Sequence, residues 1–64
     1  MVTLSATCLS IATAAARGTL RLEEKVSRLG GTFIAICDER GLIEVAADMA
    51  EALRRVEAVK ARFF

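Results

Sequence analysis

The side chains able to do chemistry are few in this sequence. The 64-residue chain has no His, the residue that most readily exchanges protons near neutral pH. Its thiols are Cys8 and Cys37, and neither has a base beside it in sequence to raise it to a nucleophile. A structural zinc site asks for about four ligands, mostly Cys and His, and this chain cannot assemble that set. Asp38-Glu39 and Glu23-Glu24 are paired carboxylates; the first pair reads as a solvated turn and the second as a helix surface. Gly30-Gly31 lacks the further glycines and the Lys-Ser/Thr of a phosphate loop, and it leads into a strand where a phosphate site would open a helix. No catalytic residue, no cofactor site and no metal site is expected, and the chain reads as a non-enzyme.

Basic residues are the remaining candidates. Arg54, Arg55, Lys60 and Arg62 fall near the C-terminus, and Arg17, Arg21, Lys25 and Arg28 in the first half. Glu51 and Glu57 dilute one group, Glu23 and Glu24 the other. The net charge of +1 gives no long-range field toward a polyanion, and no aromatic is interleaved for base stacking. A small dimeric nucleic-acid-binding regulator is therefore the alternative reading. The favoured one is a protein–protein interaction module.

These groups need elements to hold them. Leu4, Cys8, Ile11, Ala15, Gly18, Leu22 and Leu29 follow steps of four and three, closing with one full heptad, like a coiled-coil seam. The spacing predicts one long or kinked helix over about 3–29, with close approach at Ala15 and Gly18, ended by Gly30-Gly31. β-branched and aromatic residues over 32–37 predict a strand. Asp38-Glu39-Arg40-Gly41 is turn chemistry, and 42–46 returns as a second strand. Asp48-Met49-Ala50-Glu51 carries a capping-box pattern, which opens a helix over 48–63. Its apolar stripe, Met49, Ala52, Leu53, Val56, Val59 and Phe63, should cover Phe33 and Val45 of the hairpin. The expected fold class is α+β: a small α–β–β–α domain with one antiparallel hairpin over 32–46. Residues 31–41, ending Asp-Glu-Arg-Gly, are similar to the first hairpin of roadblock-type dimerisation domains; the likeness covers only the middle of the chain and assigns no family.

Size then argues for a partner. A single domain of this length buries only about 60% of its unfolded surface, and such domains lean on disulfides, metals or oligomerisation. A Cys8–Cys37 disulfide could add up to ~4 kcal/mol. Both cysteines sit among apolar neighbours, however, and read as reduced core residues of a cytoplasmic protein. Residues 1–22 lack Asp and Glu and loosely resemble a targeting segment; an Ala-rich packing helix explains them as well. No run reaches the ~18 apolar residues of a membrane span. Oligomerisation is left. In the predicted hairpin, Phe33, Ala35, Cys37, Ile43 and Val45 share one face, and Thr32, Ile34, Ile36, Leu42, Glu44 and Ala46 the other. Two apolar faces cannot both be left in water, so a homodimer is expected, with Ile34, Ile36 and Leu42, or Ala15 and Gly18, at its interface. Arg54, Arg55 and Phe64 are the candidates for binding a larger partner protein. An adaptor or inhibitor that blocks a partner's surface, of phage or plasmid type for instance, fits this inventory.

Overall fold

A computed structural model describes residues 6–64 of the chain. The first helix, α1 (Ala6–Arg17), ends at Gly18, which takes the left-handed conformation at φ +73°. The N–H of Thr19 bonds the carbonyl of Ala14 at 2.9 Å, and that of Gly18 bonds Ala15 at 3.3 Å. Together they form the paired C-terminal closure in which a glycine just past the helix satisfies its last carbonyls. The expected helix over 3–29 is thus corrected: positions 3–5 lie outside the described residues, and beyond Gly18 the chain turns. Gly18 is an exposed helix stop and cannot be the close-approach point of a continuous seam.

The stretch read as the second half of that helix is a strand, β1 (Arg21–Val26), and it pairs antiparallel with β2 (Thr32–Asp38). Residues 27–31 form the loop between them, with Gly30 at φ +90°. β2 pairs antiparallel with β3 (Gly41–Ala46), so the sheet order is β1-β2-β3, with β2 central. At the second turn Asp38 Oδ1 accepts the backbone N–H groups of Arg40 (2.8 Å) and Gly41 (3.2 Å). Asp38 faces Gly41, one residue short of the expected Leu42. A bulge between Ile36 and Cys37 follows, with Ile36 opposite Glu44 and Cys37 opposite Leu42. An extra residue in one strand reverses the faces beyond it. Ile43 therefore packs on the core, while Leu42 joins Phe33 and Val45 on the other side.

The last helix, α2 (Met49–Phe63), starts as its sequence predicts: Asp48 is the N-cap and accepts from Glu51 N–H at 2.8 Å. Glu51 reaches back one residue further than expected, to Ala47 N–H at 3.0 Å. The fold is α+β in the order α1-β1-β2-β3-α2, with a three-stranded sheet where a hairpin was expected. Both helices lie over β2 and β3 on one face. The core between the layers is Ile11 and Ala12 from α1, Ile34 and Ile36 from β2, Ala46 from β3, and Ala52, Val56 and Val59 from α2. Cys8, Leu20, Leu22, Ile43 and Phe63 pack at its margin.

This arrangement corrects two further expectations. Ile34 and Ile36, expected at a dimer interface, are 3% and 0% exposed inside the chain's own core; helices of the same chain already cover their face. The α2 stripe is narrower than its sequence suggests. Ala52, Val56 and Val59 are buried, whereas Met49 and Leu53, at 42% and 48% exposure, look outward, because small Ala52 lets the helix sit low over Ile34 and Ile36. α2 therefore covers the Ile34–Ile36–Ala46 face and leaves Phe33 and Val45 to the other side.

Candidate functional site

The strand register builds the second face of the sheet, the one without helices. β1 contributes Arg21, Glu23 and Lys25, β2 contributes Phe33, Ala35 and Cys37, and β3 contributes Leu42 and Val45. The face divides into two stripes. Along β1 the Glu23 carboxylate sits between Arg21 (3.2 Å) and Lys25 (3.3 Å). Along β3 the surface is apolar, with Leu42 at 63% and Val45 at 47% exposure. The small Ala35 and Cys37 between them are buried although no helix lies above, because the flanking rows close over them. Apolar surface of this kind, rimmed by charge, is the usual mark of an interaction site. Of the other residues expected at a dimer interface, Leu42 is exposed on this face and Ala15 is half-buried on α1.

Further exposed apolar side chains lie on the β1–β2 loop, at the end of β1 and on the outer side of α2. Leu29 at the loop tip is almost wholly exposed, and Val26 is largely exposed. Backbone geometry explains the loop: Ser27 N–H bonds the Gly31 carbonyl at 2.6 Å and Gly30 N–H bonds that of Ser27 at 3.1 Å, which leaves Leu29 at the apex, out in solvent.

The three residues expected to bind a partner fall in different settings. Arg54 is exposed on α2. Arg55 is not beside it on the outer face. Its guanidinium bonds Glu44 at 2.8 Å, Glu51 at 2.7 Å and the Val45 carbonyl at 3.1 Å. It clamps α2 to the edge of β3, and charge-assisted bonds of this fork geometry are the stronger kind. The i,i+4 spacing of Glu51 and Arg55 is readable in the sequence, but the Glu44 partner depends on the register. Phe63 packs against the core and Phe64 is exposed, with its N–H closing α2 on the Lys60 carbonyl at 2.8 Å.

At the opposite end, the β2–β3 turn is tied to α1. Arg17 meets Glu39 at 3.2 Å, and Arg21 donates to the Asp38 carbonyl at 3.1 Å. The Glu39 carboxyl is held below its ordinary range, first by a hydrogen bond from the Thr19 side chain, then by its own backbone N–H and by Arg17 and Arg40. Glu39 is exposed, so this is a surface tie between two elements.

Cys8 packs at the core on the helix side, while Cys37 is buried as a free thiol on the opposite sheet face. The sheet itself separates the two sulfurs. Among the described residues no three His, Cys, Asp or Glu side chains come together as a metal site, and no helix is long and apolar enough to cross a membrane. A shallow cleft of about 320 Å³ lies between the helices, lined by Cys8, Ile11, Val59, Glu44, Arg55 and Arg62 among others; its charged wall is occupied by the Arg55–Glu44 pair. The sequence reading missed the Arg21–Glu23–Lys25 ladder. Its signal is the period-two alternation of charge, which marks one face of a strand. The chain matches no known family, no curated protein and no solved structure. What defines it is the α-β-β-β-α architecture in which, among the described residues, helices cover one sheet face and not the other.

Proposed function

We propose that this chain is a non-enzymatic, homodimeric protein–protein interaction module, an adaptor or inhibitor that covers a surface of a larger protein. The observation that carries the reading is the uncovered sheet face with Leu42 and Val45 exposed beside Phe33. A domain of this size has little core to spare, and apolar side chains left in water contribute nothing to folding. They gain only when a partner covers them. Leu29, Val26, Met49 and Leu53 are further exposed apolar side chains, and Phe64 offers an aromatic anchor of the kind interfaces favour. A buried reduced Cys37 suits a reducing compartment such as the cytoplasm.

Nucleic-acid binding is the weaker reading, because Arg55 and Lys60, two of the basic residues of α2, are already paired with carboxylates. The test is capture of partners by the parent chain and by a Leu42→Asp/Val45→Asp variant. Both positions are solvent-exposed, so the variant should keep its circular dichroism spectrum. A protein retained by the parent and lost by the variant supports the reading. Capture of nucleic acid, with affinity for generic DNA that falls steeply as salt rises, contradicts it.

A further inference from the structure

The homodimer needs a surface, and Ile34 and Ile36 cannot supply it. We propose that β1 is the dimerisation strand: two copies join antiparallel along their β1 edges, with Leu22 opposite Leu22 on the two-fold axis, into a continuous six-stranded sheet. This inference rests on the dimeric part of the reading above.

The two sheet edges differ in ways that select β1. The outer edge of β3 is bulged opposite Ile36 and Cys37, and its Val45 carbonyl is occupied by Arg55. Bulges and charged clamps are the devices that keep an edge from pairing. β1 pairs with β2 without a bulge over all six residues, and the helices lie over β2 and β3. The alternation of an antiparallel ladder then fixes which groups of β1 face outward. Ser27 N–H bonds the Gly31 carbonyl, so Lys25, Glu23 and Arg21 carry the bonds to β2. Leu22, Glu24 and Val26 turn their N–H and C=O groups to the open edge. The same alternation, carried across β2, turns Val45 outward on β3, where Arg55 indeed finds its carbonyl.

Charged residues on an edge strand ordinarily discourage pairing. Here they discriminate between registers. A second copy must bring its own Leu22, Glu24 and Val26 to the edge, so the two strands can slide only in steps of two residues. Centred on Glu23, the pairing opposes Arg21 to Lys25 and Glu23 to itself. Centred on Glu24, Lys25 or Arg21, it sets that residue against its own copy. Centred on Leu22, the two β1 strands overlap over 21–23, Arg21 of each copy faces Glu23 of the other, Glu24 reaches Leu20 one residue before β1 begins, and no like charges meet. On the helix side this register brings together the partly buried Leu22 side chains, already at the margin of each core. Opposite charges directly across a strand pair are favourable and like charges are not.

The test is sedimentation equilibrium of the parent and of four variants. The parent should be a dimer at micromolar concentration. Arg21→Glu and Glu23→Arg each turn two attractive pairs into two repulsive ones and should weaken dimerisation roughly tenfold or more. An equimolar mixture of those two variants should recover it, and so should the double swap Arg21→Glu/Glu23→Arg, which no other register allows. Glu24→Pro removes an outward N–H that the chain does not use internally, at an edge position where proline is tolerated; it should fold and remain a monomer. A parent dimer indifferent to all four variants overturns the β1 assignment and leaves the dimeric reading standing. A parent that stays monomeric at hundreds of micromolar overturns both.

Discussion

The two edge strands of this sheet show how one short chain can close one edge and leave the other available. β3 carries apolar side chains on the uncovered face, yet its edge is sealed by a bulge, by the Arg55 clamp and by helices overhead. β1 carries charge on that face, yet its backbone edge is open and regular. On the proposed reading, exposed Leu42 and Val45 make β3 the surface for a foreign partner, while the open backbone edge makes β1 the surface for a second copy. Edge chemistry and face chemistry are independent, and an interface can be built on either.

The largest effect should come from removing what both edges share, the central strand's anchor. Ile36 is fully buried under both helices, and Ile36→Ala should cost about 2–5 kcal/mol, enough to unfold most of a domain whose total stability is on the order of 5 kcal/mol. Urea denaturation reads this directly, and a small shift would mean the helices are not packed as described. Next comes the β3 clamp. Arg55→Ala removes the bonds to Glu44, Glu51 and the Val45 carbonyl; because the side chain is more than a third exposed, solvent screening limits the loss to about 1 kcal/mol. The same variant uncovers the β3 edge, so higher-order association at high concentration, seen by light scattering, is expected of it and not of Arg54→Ala.

Leu53→Ala should cost less than about 1 kcal/mol, since half of that side chain is already in water, whereas Val56→Ala on the buried side should cost more. A reversed order would place the buried stripe of α2 where its sequence alone suggests. The smallest effect belongs to the tie at the far turn. The folded-state Glu39 carboxyl titrates below its unfolded value, so its contribution is present above the unfolded value and is lost as pH falls through the folded one. Glu39→Gln should therefore slightly flatten the decline of Tm on acidification, with no change at neutral pH beyond the lost Arg17 contact.

Much of this architecture is legible in the residues. The run over 32–37, the Asp-Glu-Arg-Gly turn, the return strand and the Asp48 cap appear where local chemistry puts them. β1 is not, for a physical reason. Leu22, Val26 and Leu29 fall at helical spacing, Glu24 and Arg28 make a favourable helical pair, and Glu and Lys are weak strand formers. What overrides these preferences is non-local: Gly18 stops α1, and β2 supplies a ladder for the chain to join. Two cues were available, a glycine followed by a β-branched residue at 18–19 and a Gly-Gly loop between two runs that can pair. The bulge that exchanges Leu42 and Ile43 depends on how β3 pairs with β2 beyond the turn, which local residue types do not fix. Of the candidate site, exposed Arg54 and Phe64 were readable, but the sealing role of Arg55 needs Glu44 and Val45 brought beside it.

The most direct test of the contrast between the edges is backbone amide hydrogen exchange followed residue by residue as concentration is raised through the dimerisation range. Leu22 and Glu24 turn their N–H groups out of the chain along β1, and Val45 turns its own out along β3. With β1 as the dimerisation edge, the Leu22 and Glu24 amides should become protected as the dimer forms while the Val45 amide stays fast. Protection at Val45 with Leu22 and Glu24 still exchanging freely would contradict it.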